Sequence, residues 1–219
     1  KPLILQGLQK NIKIISTHLL TLLTTSVIVL IEHENNTYCI EWKEELMNFQ
    51  KFTQKSIQAV NDLEKVALEY GNQEIEQEHL LYSLLTQEES LIARLISKMD
   101  IDSTLFKERV EEALNKRVKV SGGQPYIGQY LNKALVSAED EAKRMGDEYV
   151  SVEHLFLALL DNPSPTIKTL FRENGITRER FLQALSTVRG NQRVTTDNPE
   201  ATYDTLNKYG YDLVEKARE

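Results

Sequence analysis

A chain of 219 residues, 41% hydrophobic and 27% charged, holds enough apolar material for a substantial core and has an ordinary globular composition. Its formal charge of -7 excludes a broad phosphate-binding face, so nucleic acid is not an expected partner. The single cysteine, Cys39, excludes an internal disulfide framework and fits a reducing compartment, which makes a cytoplasmic location the expectation.

The chain opens on Lys1, and residues 14–31 carry no formally charged side chain. That length is near the lower limit for a membrane span, several Thr and Ser dilute it, and no small-residue cleavage site follows. Three readings of residues 1–46 stay open: a leader foreign to a natural protein that starts at Met47, a signal or anchor after Lys10 and Lys13, or an ordinary buried helix or strand. No functional residue is expected there, and no membrane partner.

From residue 52 onward the chain repeats itself. A shift of 75 positions aligns Gly71 with Gly146, Glu78-His79-Leu80 with Glu153-His154-Leu155, and Leu84-Leu85 with Leu159-Leu160. Over residues 52–112 this ungapped register gives 14 identities, enough to establish a duplication before any fold is argued. Each copy reads as four short helices. Ala59, Leu63, Val66, Ala67 and Tyr70 stripe one face of a first helix over about 53–70, and Gly71 and Gly146 are stops where positive φ is favoured. The second helix holds the twin octapeptides "EHLLYSLL" and "EHLFLALL". Ser151 is a suitable N-cap, and Glu153 suits the positive end of that helix. Pro163 and Pro165 precede a third helix over about 166–173, and the fourth covers about 178–188, with its counterpart at 103–117.

No stretch between Met47 and Gly190 alternates as a strand does. The expectation is an all-α fold of two tandem four-helix repeats with pseudo-twofold symmetry, repeat one at about 52–117 and repeat two at about 127–189. The joint "KVSGGQPYIG" (residues 119–128) reads as a connector, and residues 190–200 as a polar linker. Helical patterning resumes over 201–219.

Candidate chemistry is sparse. The "EHL" motif is not the zinc-protease signature, since Ser83 and Ala158 stand one turn beyond His79 and His154. No metal-spaced Cys/His cluster, nucleophile elbow or phosphate-binding "GxxxxGK[ST]" loop occurs, so no enzymatic activity is expected of these residues and no cofactor. His79 and His154 read as histidines near a helix start, bonded to a backbone carbonyl or to the other repeat. Glu78 reads as a helix-starting residue only.

Three stretches carry a resemblance: "NFQKFTQKS", the twin octapeptides preceded by "GDEYVSVEHL", and "RGNQRVTTDNPEATYDTLNKYGYDLVEKARE". Together they resemble the amino-terminal substrate-binding domain of the bacterial Clp/Hsp100 chaperones, with the closest likeness to the disaggregase branch, over Met47–Glu219. The resemblance implies a domain at 47–189 that engages exposed apolar segments of unfolded or aggregated polypeptides, and a first ATPase domain that begins at about 201. It implies ATP and Mg as cofactors of ATPase domains beyond these residues, and a homohexameric assembly. The alternative within the family is an adaptor- and substrate-binding domain of a protease-coupled Clp ATPase. By motif match, Thr53, Asp147 and Glu153 correspond to polar positions at the rim of a shallow client groove, and Leu135 to an apolar position in it. His154 falls where some relatives carry an apolar groove residue. Only the second copy has the Gly-Asp lead-in and the Ser cap, so Glu153 rather than Glu78 is the candidate client contact.

Overall fold

The two copies fold into the same four helices. The computed structural model describes residues 49–120, 122–190, 192–199 and Tyr203. Readings of residues 1–46, and of 201–219 apart from Tyr203, lie outside the described residues. Helix α1 spans Gln54–Tyr70, α2 Gln77–Thr86, α3 Leu91–Lys98 and α4 Ser103–Lys116. Helices α5 (Gln129–Met145), α6 (Val152–Asp161), α7 (Pro165–Glu173) and α8 (Arg178–Arg189) repeat them in order. The first two pairs keep the 75-residue offset at both ends, and the architecture is all-α, as the periodicity predicted.

Gly71 (φ 70°) and Gly146 (φ 71°) end α1 and α5 in the left-handed conformation. The next amides, of Asn72 and Asp147, donate back to the carbonyls of Ala67 and Ala142 at 2.8 and 2.9 Å. Such a turn reverses the chain within two residues and satisfies carbonyls that the helix leaves open. It delivers Asn72 and Asp147 to the start of the following helix, where the site lies.

The central layer is α2 with α6. Leu80, Leu81 and Leu84 on one and Leu155, Phe156 and Leu159 on the other are fully buried. Helix α2 packs on α1, α3 and α4 of its own copy and on α5, α6 and α7 of the other. Aromatic rings continue the core: Phe106 of α4 stacks on Phe171 of α7 at 6.5 Å across the copies, and Phe156 on Phe181 at 4.4 Å within the second. Burying each such side chain stabilises by about 1.5–3 kcal/mol, so this layer dominates the fold.

Two sequence expectations are corrected. First, strands exist. Glu74–Ile75 (β1) and Tyr126–Ile127 (β2) pair in parallel, Glu74 with Tyr126 and Ile75 with Ile127, and an isolated parallel bridge joins Phe52 to Val150. Two-residue strands are too short to leave an alternating pattern. Under the 75-residue shift Phe52 is the counterpart of Ile127, and Val150 of Ile75. The segment before α1 therefore pairs with the segment before α6, and the segment before α5 with that before α2. Each copy lends its opening segment to the other.

Second, residues 192–199 of the expected polar linker dock on the domain. Val194 is fully buried, its N–H donates to Asp147 Oδ1 at 2.9 Å, and its carbonyl accepts from Glu148 N–H at 2.9 Å. The Asp197 carbonyl accepts the Gln54 N–H at 2.8 Å. One valine in a polar run has no periodicity, so this docking is invisible in sequence. Among the described residues no helix is long and apolar enough to cross a membrane.

Candidate functional site

The repeated Glu-His pair is built around helix capping. His79 Nδ1 accepts the Glu76 N–H at 3.0 Å, and His154 Nδ1 accepts the Ser151 N–H at 2.9 Å. Histidine here does what Glu or Gln does at the third helical position of a capping box. With Nδ1 accepting, the proton sits on Nε2, which faces Asn72 Oδ1 at 3.2 Å and Asp147 Oδ2 at 2.9 Å. A backbone carbonyl, that of Glu76, does lie 3.3 Å from His79 Nδ1, as one of the two expectations had it, whereas both histidines bond within their own copy rather than to the other repeat. Burial, followed by the nearby Arg117 charge, lowers the His79 pKa to about 4.

Where the copies lend each other their opening segments, two seams form, and they differ. At the β1–β2 seam the buried Glu76 carboxylate accepts the N–H groups of Tyr130 and Leu131 at 3.2 and 3.0 Å, capping α5 from the other copy. Burial pushes the Glu76 pKa up, and these backbone donors work against that shift. Gly128 lies against this carboxylate, and a Cβ there would overlap it. At the Phe52–Val150 seam the counterparts are Ser151 and Thr53. The Thr53 hydroxyl caps α1 by accepting the Ser56 N–H at 3.3 Å, Thr53 N–H donates to the Val150 carbonyl at 3.0 Å, and Gln54 N–H turns outward to Asp197.

Beside this second seam lies a buried charge cluster. The Asp147 side chain, fully buried, accepts from His154 Nε2, from Arg189 Nη2 and from Val194 N–H. Burial alone would raise its pKa, but these three donors outweigh it and hold the carboxyl at about 2. Arg189 also lies 3.6 Å from Glu153 and donates Nε–H to the Gln192 carbonyl at 2.5 Å. Its pKa is raised despite burial by Asp147, Glu153 and Tyr203. Glu153 is fully buried, yet neither carboxylate oxygen accepts a hydrogen bond among the described residues. In the first copy Glu78 is buried too and pairs with Arg117 at 3.2 Å, so it does more than start a helix.

The structure thus brings Asp147 and Glu153 together on Arg189, with Thr53 across the seam at Val150. Leu135, 2% exposed, lies within the core on α5. The side chains of all four are withdrawn from the surface. Sequence reasoning missed Arg189 and the docked segment after it. The only trace of them is an arginine closing the last helix and the "RVTTD" run beyond. A separate open cleft of about 1100 Å³ lies between α4, the inter-repeat joint and α7. Its apolar lining includes Val118, which is 80% exposed, with Val120, Tyr126 and Leu170. Among the described residues no group of three or more His, Cys, Asp or Glu could hold a metal ion.

Comparison with known proteins agrees with this architecture. Residues 51–174 match the Clp repeat (R) N-terminal domain. The chaperone protein ClpB of Nitratidesulfovibrio vulgaris is 46% identical over 178 residues, covering 78% of this chain and 21% of that protein. ClpB of Bacillus anthracis is 40% identical over 177 residues, covering 78% and 20%. The chain spans about a fifth of the length of these curated relatives. The Hsp104 N-terminal domain from Candida albicans superposes with a TM-score of 0.58 at 22% identity, covering 68% of this chain and 97% of that one. The N-domain of ClpV from Vibrio cholerae gives 0.55 at 19%, covering 75% and 93%. The chain belongs to the Clp repeat N-terminal domain family, among the N-terminal domains of ClpB-like chaperones.

Proposed function

We propose that this chain recognises exposed apolar segments of unfolded or aggregated polypeptides on behalf of an ATP-driven, homohexameric disaggregase of the ClpB kind. The 219 residues contain no phosphate-binding loop, so no nucleotide is assigned to them; ATP and Mg belong to ATPase domains elsewhere in such a protein. Thr53, Leu135, Asp147 and Glu153 are proposed as the residues around which client binds. The supporting observation is Glu153, a buried carboxylate whose two oxygens have no hydrogen-bond donor among the described residues. Buried polar atoms are nearly always satisfied, and an extended client chain supplies the missing N–H groups. Client contacts of this kind are weak and sequence-tolerant, because apolar burial is non-directional.

Titration of the chain with fluorescein-labelled casein, which has no stable fold, tests this reading. Glu153→Gln keeps the side-chain volume and removes the charge. It weakens binding about tenfold, the loss expected for one hydrogen bond to a charged group. Unchanged affinity with an unchanged circular-dichroism spectrum removes Glu153 from the contact. A second reading, docking of an adaptor protein as in a protease-coupled Clp ATPase, is favoured by the cleft with Val118, Val120 and Tyr126 exposed in it. The solved complex of a ClpV N-domain with a VipB peptide shows that a related domain takes a peptide partner. Tyr126→Asp leaves casein binding unchanged under the first reading and abolishes capture of an adaptor under the second.

A further inference from the structure

The two seams set the same backbone problem and solve it differently. At the β1–β2 seam Glu76 reaches across and caps α5 from within the fold. At the Phe52–Val150 seam Ser151 stands in Glu76's place, and a serine side chain is too short to make that crossing. There the Ser56 N–H, counterpart of the Leu131 N–H, is capped by the Thr53 hydroxyl, and the first amide of α1, that of Gln54, is taken by the Asp197 carbonyl, with Gln54 Nε2 donating to Asp197 Oδ2 at 2.9 Å. At this seam a later stretch of chain is laid over the start of α1.

That stretch binds as a peptide ligand binds. Val194 uses both its N–H and its carbonyl on the Asp147–Glu148 turn, and its side chain is fully buried. Tyr203, also buried, joins the core cluster and lies close to Arg189. Main-chain hydrogen bonds with alternate side chains in pockets are the signature of extended-peptide recognition. Residues 195–198 are exposed between the buried Val194 and Pro199, so the segment lies at the surface, where local opening costs less than global unfolding. It covers Asp147 and Arg189, to which the Val194 N–H and the Gln192 carbonyl are bonded.

Resting on the client-binding reading above, we propose that residues 192–199, together with Tyr203, are a built-in stand-in for client at the Phe52–Val150 seam, and that an incoming polypeptide displaces them. The segments that compete best are extended, with an apolar side chain three positions before an acidic one, as Val194 precedes Asp197. Client affinity is then set by how often the stand-in lifts, because apparent affinity falls in proportion to the competent fraction.

The test uses the full chain and labelled casein. In the Val194→Gly/Tyr203→Ala variant casein binds roughly fivefold tighter or more, because apparent affinity rises with the fraction of chains whose seam is open. In the intact chain, saturating casein accelerates hydrogen exchange at the Val194 amide, a readout that needs no variant to fold. Equal affinity in both chains, with Val194 exchange unchanged by bound casein, overturns the stand-in and leaves the client-binding reading in place. Absence of casein binding to either chain overturns both.

Discussion

At the scale of single residues, the repeated Glu-His pair is explained by what each atom of His79 touches. Nδ1 serves as a cap acceptor only while the ring is neutral, and Arg117 with burial lowers its pKa from 6.5 to about 4. Between those values the unfolded chain binds a proton that the folded chain refuses. Stability is therefore fully present above about pH 6.5, falls as pH drops through that window, and the contribution is lost near pH 4. A shift of this size corresponds to about 3 kcal/mol. Gln at this position also caps, so His79→Gln keeps the fold at pH 7.5 and flattens the urea midpoint between pH 6.5 and 4. A midpoint as pH-dependent as in the parent chain assigns the slope to other groups. The motif itself was legible in sequence; its role was not, because Glu76 is not the Ser or Thr that usually announces a capping box. Arg189 showed in sequence only as an arginine closing the last helix, with nothing to mark that two buried carboxylates depend on it. Arg189→Met leaves Glu153 buried without a cation and lowers unfolding free energy by about 3–5 kcal/mol. Arg189→Met/Glu153→Met recovers part of that loss in denaturant titrations, and a purely additive result refutes the coupling.

At the scale of elements, the helices were readable because apolar spacing and glycine stops are local. The seams were not, because they join residues about 50 and 100 positions apart through pairs too short to have a period. The 75-residue register nevertheless pairs Glu76 with Ser151 and Gly128 with Thr53. Only the structure shows that these two exchanges compensate each other: a carboxylate crosses where glycine leaves room, and a β-branched residue stands where serine stops short. Gly128→Thr alone places atoms on the Glu76 carboxylate and destabilises by a few kcal/mol, the range for overpacking a buried site. Adding Glu76→Ser rebuilds the local sequence of the other seam. The pair is then more stable than the sum of the single changes by about 1–3 kcal/mol, read from thermal or urea unfolding. Strict additivity breaks the proposed equivalence of the seams.

At the scale of the whole molecule, the duplication was legible as a repeat, and a repeat suggests two units that fold separately. The pairing of opening segments argues otherwise. Helix α2 packs on α5, α6 and α7, Phe106 stacks on Phe171, and Gln77 bonds the carbonyls of Tyr130 and Asn162 at 3.0 and 2.7 Å and the Ser164 N–H at 2.7 Å. A lone copy exposes that whole layer and is also small enough that its own core is marginal. Separating the chain at Gly122–Gly123, where the joint has positive φ and a Cβ on Gly122 would meet nothing, keeps every helix intact. The two halves made apart are then largely unstructured by circular dichroism, and mixing them in equal amounts restores the helical signal and a single cooperative melt. A single copy could also pair with itself, since pseudo-twofold symmetry makes its surface roughly self-complementary. The unequal seams decide against it. Two first copies would set Glu76 against Thr53, where the native seam has Gly128, and two second copies would set Ser151 against Gly128 with no carboxylate to cap α5. The mixed pair therefore outcompetes both self-pairs, and sedimentation of the mixture gives one heterodimer of the mass of the intact chain.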